Sequence, residues 1–315
     1  MRRDGHDSPA GSERPLSDFV NRLHAGDAAA IMARMPSESV DLVVADPPYN
    51  LGKPFGGAEG ENGRALENAG DDGTGRRHRM GWAEYEEFTR RWLEQAVRLL
   101  KPTGSLYVFM GVGFIARLFL LLQESFELTF NSWIVWHYTQ GVGRKRGFSP
   151  RHEDILFFTR SQDFTFDLDA VRIPQKYYRK RNNMAGANPG DVWQFSHIHY
   201  CSREREGHPT QKPEALMARM IRASSHPGDL VLDPFAGSGT SCRVAQVLER
   251  RYIGIDLNPD YIRAAEQRLA RPFQGFDSAD ERSRREPVRS ERAAIRSGAG
   301  KGAPAEGETP DLFDS

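Results

Sequence analysis

Cysteine is almost absent from this chain of 315 residues, which has two, Cys201 and Cys242. A disulfide framework is therefore excluded, and neither cysteine has neighbours at metal-ligand spacing, so the chain reads as metal-free and intracellular, with a cytoplasmic location expected. An excess of one charge is missing as well, because 43 Lys and Arg balance 43 Asp and Glu. Any nucleic-acid surface must then come from local clustering rather than from global charge. Long apolar runs are also lacking. The best stretch, Phe114 to Leu122, is short and contains Arg117, too little to span a bilayer. The first residues carry charge with no apolar signal region behind them.

What is present is an alternation of strand and helix patterns. Val40 to Ala45, Ser105 to Met110, Ser132 to His137, Ile155 to Thr159, Leu230 to Asp233 and Tyr252 to Leu257 are short runs rich in β-branched and aromatic residues, as in buried strands. Tyr85, Phe88, Trp92, Ala96 and Leu99 share one helical face, and Leu216, Met217, Met220 and Ser224 another. The pattern predicts an α/β fold with a doubly wound, mostly parallel sheet over residues 19–271. Residues 1–18 and 272–315 are polar and punctuated by Gly and Pro, which predicts disordered ends. Within the domain, 52–80 is Gly-rich and predicts a mobile loop, and about 139–206 is a basic, polar insertion.

Two motifs carry chemistry. Asp46-Pro47-Pro48-Tyr49 closes the first apolar strand, where a carboxylate, two prolines and an aromatic ring can hold a planar base that bears an amine. Asp233-Pro234-Phe235-Ala236-Gly237-Ser238-Gly239-Thr240 reads as a strand, a Gly turn and the start of a helix, a design that holds a nucleoside cofactor. Gly237 and Gly239 let backbone approach a ligand where a Cβ would collide. Asp256 ends the next strand about 20 residues after Gly237, the offset at which an acid meets ribose hydroxyls; a structural Asp at a strand end is the plainer alternative. Asn258-Pro259 then begins a helix with an N-cap and a proline in its first turn.

At these residues the chain resembles the amino-methyltransferases of DNA. The Asp-Pro-Pro-Tyr element precedes the Phe-Ala-Gly-Ser-Gly element, and Gly207-His208-Pro209-Thr210-Gln211-Lys212-Pro213 lies just upstream of the latter, the order of the permuted β class. The resemblance covers roughly residues 23 to 270 and implies a Rossmann-like fold that uses S-adenosyl-L-methionine. It implies that Asp233, Phe235, Ala236, Gly237, Ser238, Gly239, Thr240 and Asp256 surround the cofactor, and that Thr210, Gln211 and Lys212 line its methionine end. Asp27 is implied to meet the cofactor's adenine amine; capping of a helix over Ala28 to Met35 is compatible with that role.

The implied chemistry rests on Asp46, Pro47, Pro48 and Tyr49. Asp46 and the Pro47 carbonyl each accept an amine hydrogen, and Tyr49 stacks on a base flipped out of double-stranded DNA. Two prolines stiffen the turn and withhold backbone donors. Arg144, Lys145, Arg146, Lys176, Arg179, Lys180 and Arg181, with Tyr177 and Tyr178 among them, form the expected DNA contact. His197 and His199 alternate, without a carboxylate or cysteine at a spacing that would make a metal site. The leading expectation is N6 methylation of adenine, with N4 methylation of cytosine as the alternative. An inactive methyltransferase scaffold acting as a DNA-binding regulator is the reading from a different class. A homodimer and a cognate restriction endonuclease are further partners that the resemblance leaves open.

Overall fold

The computed structural model describes residues 13–50, 80–139, 143–174, 186–199 and 201–276. Most of the 52–80 loop, the basic residues Lys176, Arg179, Lys180 and Arg181, and the tail from 277 onward lie outside the described residues. The elements run β1 (Arg22–Ala25), α1 (Ala28–Met32), β2 (Val40–Ala45), α2 (Trp82–Leu99), β3 (Leu100–Met110), α3 (Ile115–Leu120), β4 (Thr129–His137), β5 (His152–Thr159), β6 (Val192–Gln194), α4 (Glu214–Ala223), β7 (Leu230–Asp233), α5 (Thr240–Val247), β8 (Arg251–Asp256) and α6 (Pro259–Leu269).

All eight strands join one sheet in the order β1-β8-β7-β2-β3-β5-β4-β6. Neighbours from β1 to β3 are parallel, β5 is antiparallel to both β3 and β4, and β6 is parallel to β4. β2 lies centrally because its residues satisfy both faces. Val43 and Ala45 join a core with Met32, Tyr85, Trp92, Leu93 and Leu118, while Leu42 and Val44 pack with Tyr107, Leu216, Met220 and Val244 on the opposite side. The one charged side chain of β2, Asp41, pairs with Lys101 at 2.6 Å and accepts the Leu230 N–H at 2.9 Å. The expected doubly wound, mostly parallel sheet is what forms.

Several boundaries differ from the sequence pattern. Residues 13–18 do not belong with a disordered end: Leu16–Asp18 forms a 3-10 turn, the Arg14 N–H bonds the Arg34 carbonyl at 2.9 Å, and Phe19 is buried. β1 escaped the pattern because an edge strand of four residues carries Arg22 and His24 and buries none of them. The basic stretch 139–206 is not a single insertion, since β5 lies inside it and is a central member of the sheet. Trp193 and Phe195, within the same stretch, are buried beneath the Arg219 guanidinium, which sits 5.2 and 4.7 Å from their ring centres.

Candidate active site

β7 ends on Asp233, whose carboxylate accepts the Phe235 N–H at 2.9 Å and the Ser241 hydroxyl. Burial pushes this carboxyl up to about 7. The two bonds fold the chain into the turn that leads to α5, with Gly237 and Gly239 in left-handed conformation at φ 49° and 72°. Both glycines also make room for the protein's own chain. A Cβ on Gly239 would stand 2.8 Å from Ala265 Cβ, so this glycine admits α6, and a Cβ on Gly237 would stand 3.0 Å from the His208 ring.

Asp256, at the end of β8, accepts the Gly237 N–H on one oxygen at 2.9 Å and the Asn258 N–H on the other at 2.8 Å. Burial raises its pKa despite both bonds. Arg268 braces the turn from behind by donating to the Ser238 carbonyl at 3.1 Å and to Thr240 Oγ1 at 2.9 Å, while it pairs with buried Glu214 at 2.7 Å. Asp27 accepts the Ala30 N–H at 2.9 Å as the cap of α1 and lies 3.5 Å from Arg91. The Gly26 N–H reaches the Asp256 carbonyl at 2.9 Å, so the start of the domain closes beside this half.

β2 ends beside β7, and there Asp46 and Tyr49 meet two further charged groups. The Tyr49 hydroxyl lies 2.9 Å from Asp46 Oδ1 and 2.8 Å from Glu153 Oε2, and Lys212 Nζ lies 2.7 Å from Asp46 Oδ2 and 3.3 Å from Glu153 Oε2. Burial raises the pKa of Asp46 against the lowering pull of the Lys212 ammonium, while the two carboxylates hold Lys212 charged against its own burial. Pro48 is fixed through its carbonyl, which accepts the Tyr85 hydroxyl at 2.6 Å. Asn50 bonds both backbone groups of Met80 at 2.9 and 3.0 Å, so the two ends of the 51–79 segment are held together.

One cavity of about 520 Å³ joins both groups, with Asp27, Asp46, Tyr49, Phe235, Gly237 and Asp256 among its lining residues. The site thus lies outside the carboxyl ends of β2 and β7, where ligands bind in open α/β sheets. Lys212, expected at the methionine end, lines this cavity with its ammonium paired to the Asp46 carboxylate. Gln211 is committed to its own loop, donating to the Glu204 carbonyl and accepting the Glu206 N–H. Thr210 lines the cavity beside His208, whose pKa burial and the Lys212 charge lower to about 4. Arg144, Lys145 and Arg146 are exposed, a few residues before Pro150 and His152 of the cavity wall.

Glu153 and Arg268 went unrecognised in the sequence, and His208 was read only as part of the motif that carries Thr210, Gln211 and Lys212. Glu153 opens β5 and stands at the carboxyl end of β3 only because β5 runs antiparallel to it, with Asp154 opposite Met110. No spacing announces that orientation.

A model of the DNA methylase family, covering the N6 and N4 enzymes, matches residues 40–267. The chain belongs to this family. As a DNA methylase it is 50% identical over 267 residues to the type II methyltransferase M.HpaI of Haemophilus parainfluenzae, covering 84% of this chain and 79% of that protein. It is 38% identical over 261 residues to the DNA adenine methyltransferase YhdJ of Escherichia coli, covering 78% and 81%. Among solved structures, the PvuII DNA methyltransferase, cytosine-N4-specific, shares the fold at a TM-score of 0.62 and 20% identity, covering 86% of this chain and 92% of that one. The Thermus thermophilus protein TTHA0409 in complex with S-adenosyl-L-methionine does so at 0.54 and 24%, covering 82% and 97%. The DNA methylases of this family take S-adenosyl-L-methionine as cofactor. Among the described residues, no helix of this DNA methylase is long and apolar enough to cross a membrane, and no cluster of metal ligands forms.

Proposed function

We propose that this DNA methylase moves the methyl group of S-adenosyl-L-methionine to N6 of adenine at a specific site in double-stranded DNA. The observation that carries the reading is the placement of the Asp46 carboxylate and the Gly237–Asp256 turn in one cavity. The residues fit the cofactor: a cavity of about 520 Å³ suits a nucleoside, Asp256 keeps lone pairs for ribose hydroxyls, and Phe235 offers an apolar wall. When bound, the cofactor supplies an electrophilic methyl group on a sulfonium.

The protein's own part is alignment and charge. An exocyclic amine is a poor nucleophile while its lone pair is delocalised into the ring, so Asp46 accepts one amine hydrogen and turns that pair outward. The Pro47 carbonyl is the second acceptor, since Tyr85 already engages that of Pro48. Lys212 keeps Asp46 ionised in surroundings that otherwise favour its neutral form. Unstacking a base costs a few kcal/mol, offset by these bonds and by the Tyr49 ring. Arg144, Lys145 and Arg146, with Lys176, Arg179, Lys180 and Arg181 beyond the described residues, form the phosphate-binding surface in this reading. A cognate restriction endonuclease belongs to the same proposal, supported by the type II naming of M.HpaI, as does a second copy of the chain.

Adenine is favoured over cytosine by the name of YhdJ at 38% identity and by Asp at the head of the Asp46-Pro47-Pro48-Tyr49 element. DNA methylated in vitro, digested to nucleosides and identified by mass spectrometry tests the proposal. N6-methyladenine is expected with the wild type and none with Asp46→Ala, which still binds cofactor. Methylated cytosine without methylated adenine would overturn the base, and near-normal turnover by Asp46→Ala would overturn the role of Asp46.

A further inference from the structure

We infer that Glu153 is the final acceptor of the proton released by methyl transfer, receiving it from Asp46 through the Tyr49 hydroxyl. The inference rests on the methyltransferase reading above. Its starting point is a count of hydrogens. The Tyr49 oxygen lies 2.9 Å from a carboxylate oxygen of Asp46 and 2.8 Å from one of Glu153, yet a phenol has one hydrogen to donate. Its one hydrogen is shared between the two carboxylates, and the phenol oxygen keeps lone pairs that can take a hydrogen from a protonated Asp46. The three side chains therefore form a path along which one added proton can pass.

Charge leads to the same conclusion. With both carboxylates ionised and Lys212 protonated, the cluster has one negative charge in excess. Methylating an amine with a sulfonium donor leaves one positive charge to dispose of, as one proton. A single carboxylate balanced by Lys212 would have to give up its ion pair to take that proton; a second carboxylate spares the pair.

The steps balance without an oxidant or further reactant. The N–H bond of the methylated amine breaks as an O–H bond forms on Asp46. That O–H bond then breaks as its hydrogen passes to the Tyr49 oxygen, while the original Tyr49 O–H bond breaks and an O–H bond forms on Glu153. Asp46 is again ionised and Tyr49 again a neutral phenol. Other titratable groups facing the cluster are Tyr138 after β4, His197 after β6, His208 before α4, Tyr85 on α2 and Asp233 on β7. Burial keeps both phenols protonated and makes both imidazoles weaker bases than usual, so none of the four draws the proton away from Glu153. Asp233 is held by Phe235 and Ser241. Glu153 is 19% exposed, which gives the proton a way out to solvent between turnovers.

Two measurements test the relay. In time-resolved infrared spectra of a single turnover, the band of a protonated carboxyl is expected to appear with methyl transfer and to be lost in Glu153→Gln, which has no final acceptor. In single-turnover assays, Glu153→Gln and Tyr49→Phe are each expected to slow methyl transfer by at least roughly tenfold, less so as pH rises and hydroxide takes the proton. Affinities for cofactor and DNA stay within about twofold, and the double variant is no slower than the slower single one. A carboxyl band that survives in Glu153→Gln, or wild-type rates for Glu153→Gln at every pH, overturns the relay. A wild type that methylates no DNA overturns the methyltransferase reading, and the relay with it.

Discussion

Asp256 does two things with one carboxylate. It fastens the Gly237 and Asn258 amides, and in the proposed complex it meets the ribose hydroxyls with the lone pairs that remain. Asp256→Ala removes charge-assisted bonds worth roughly 1.5 to 3 kcal/mol together, so S-adenosyl-L-methionine affinity is expected to fall by about ten- to a hundredfold. Calorimetric titration measures this, with circular dichroism to confirm the fold, and unchanged affinity would remove Asp256 from the cofactor site. At Gly237 a side chain would also stand 3.0 Å from the His208 ring, so a substitution there disturbs the protein's own packing.

At the scale of elements, α4 and α6 are tied by the Glu214–Arg268 pair, whose side chains are 6% and 3% exposed. Arg268 passes that support to the Gly turn through Ser238 and Thr240. Arg268→Met strands a buried carboxylate, and urea unfolding is expected to show a loss of about 3 to 5 kcal/mol, larger than the loss from replacing both partners by apolar residues. The segment before β5 acts outward instead. Replacing Arg144, Lys145 and Arg146 by alanine is expected to lower the dependence of DNA affinity on salt by up to about three units of slope, with cofactor binding unchanged. An unaltered slope would leave these residues as a solvated turn.

For the whole molecule, His208 links folding to pH. Its ring is neutral in the fold, with a pKa lowered to about 4 by burial and by the Lys212 charge, against an ordinary value of 6.5. The unfolded chain binds a proton that the folded chain refuses, so this contribution is complete above about pH 6.5 and is lost as pH falls to about 4. His208→Gln removes it. Relative to wild type, the variant is expected to gain stability as pH drops across that window, by at most about 3 kcal/mol and less where solvent reaches the half-buried ring. Denaturant titrations at several pH values would show it, and a difference independent of pH would contradict it.

The sequence by itself determined the central sheet-forming runs and the two loops that carry the chemistry, because Val40 to Ala45 and Leu230 to Asp233 are apolar enough to be central strands and each is followed by residues that cannot continue one. The order of the motifs was enough to indicate the family. Only the tertiary structure decided which charges face one another. Lys212 pairs with Asp46 across 166 positions of sequence separation in effect set by the meeting of β2 with the loop before α4, and Glu153 joins them because β5 runs against β3. Hydrophobic periodicity records what a residue buries along its own element. It does not record the direction of the neighbouring strand, and that direction is what placed the second carboxylate in the site.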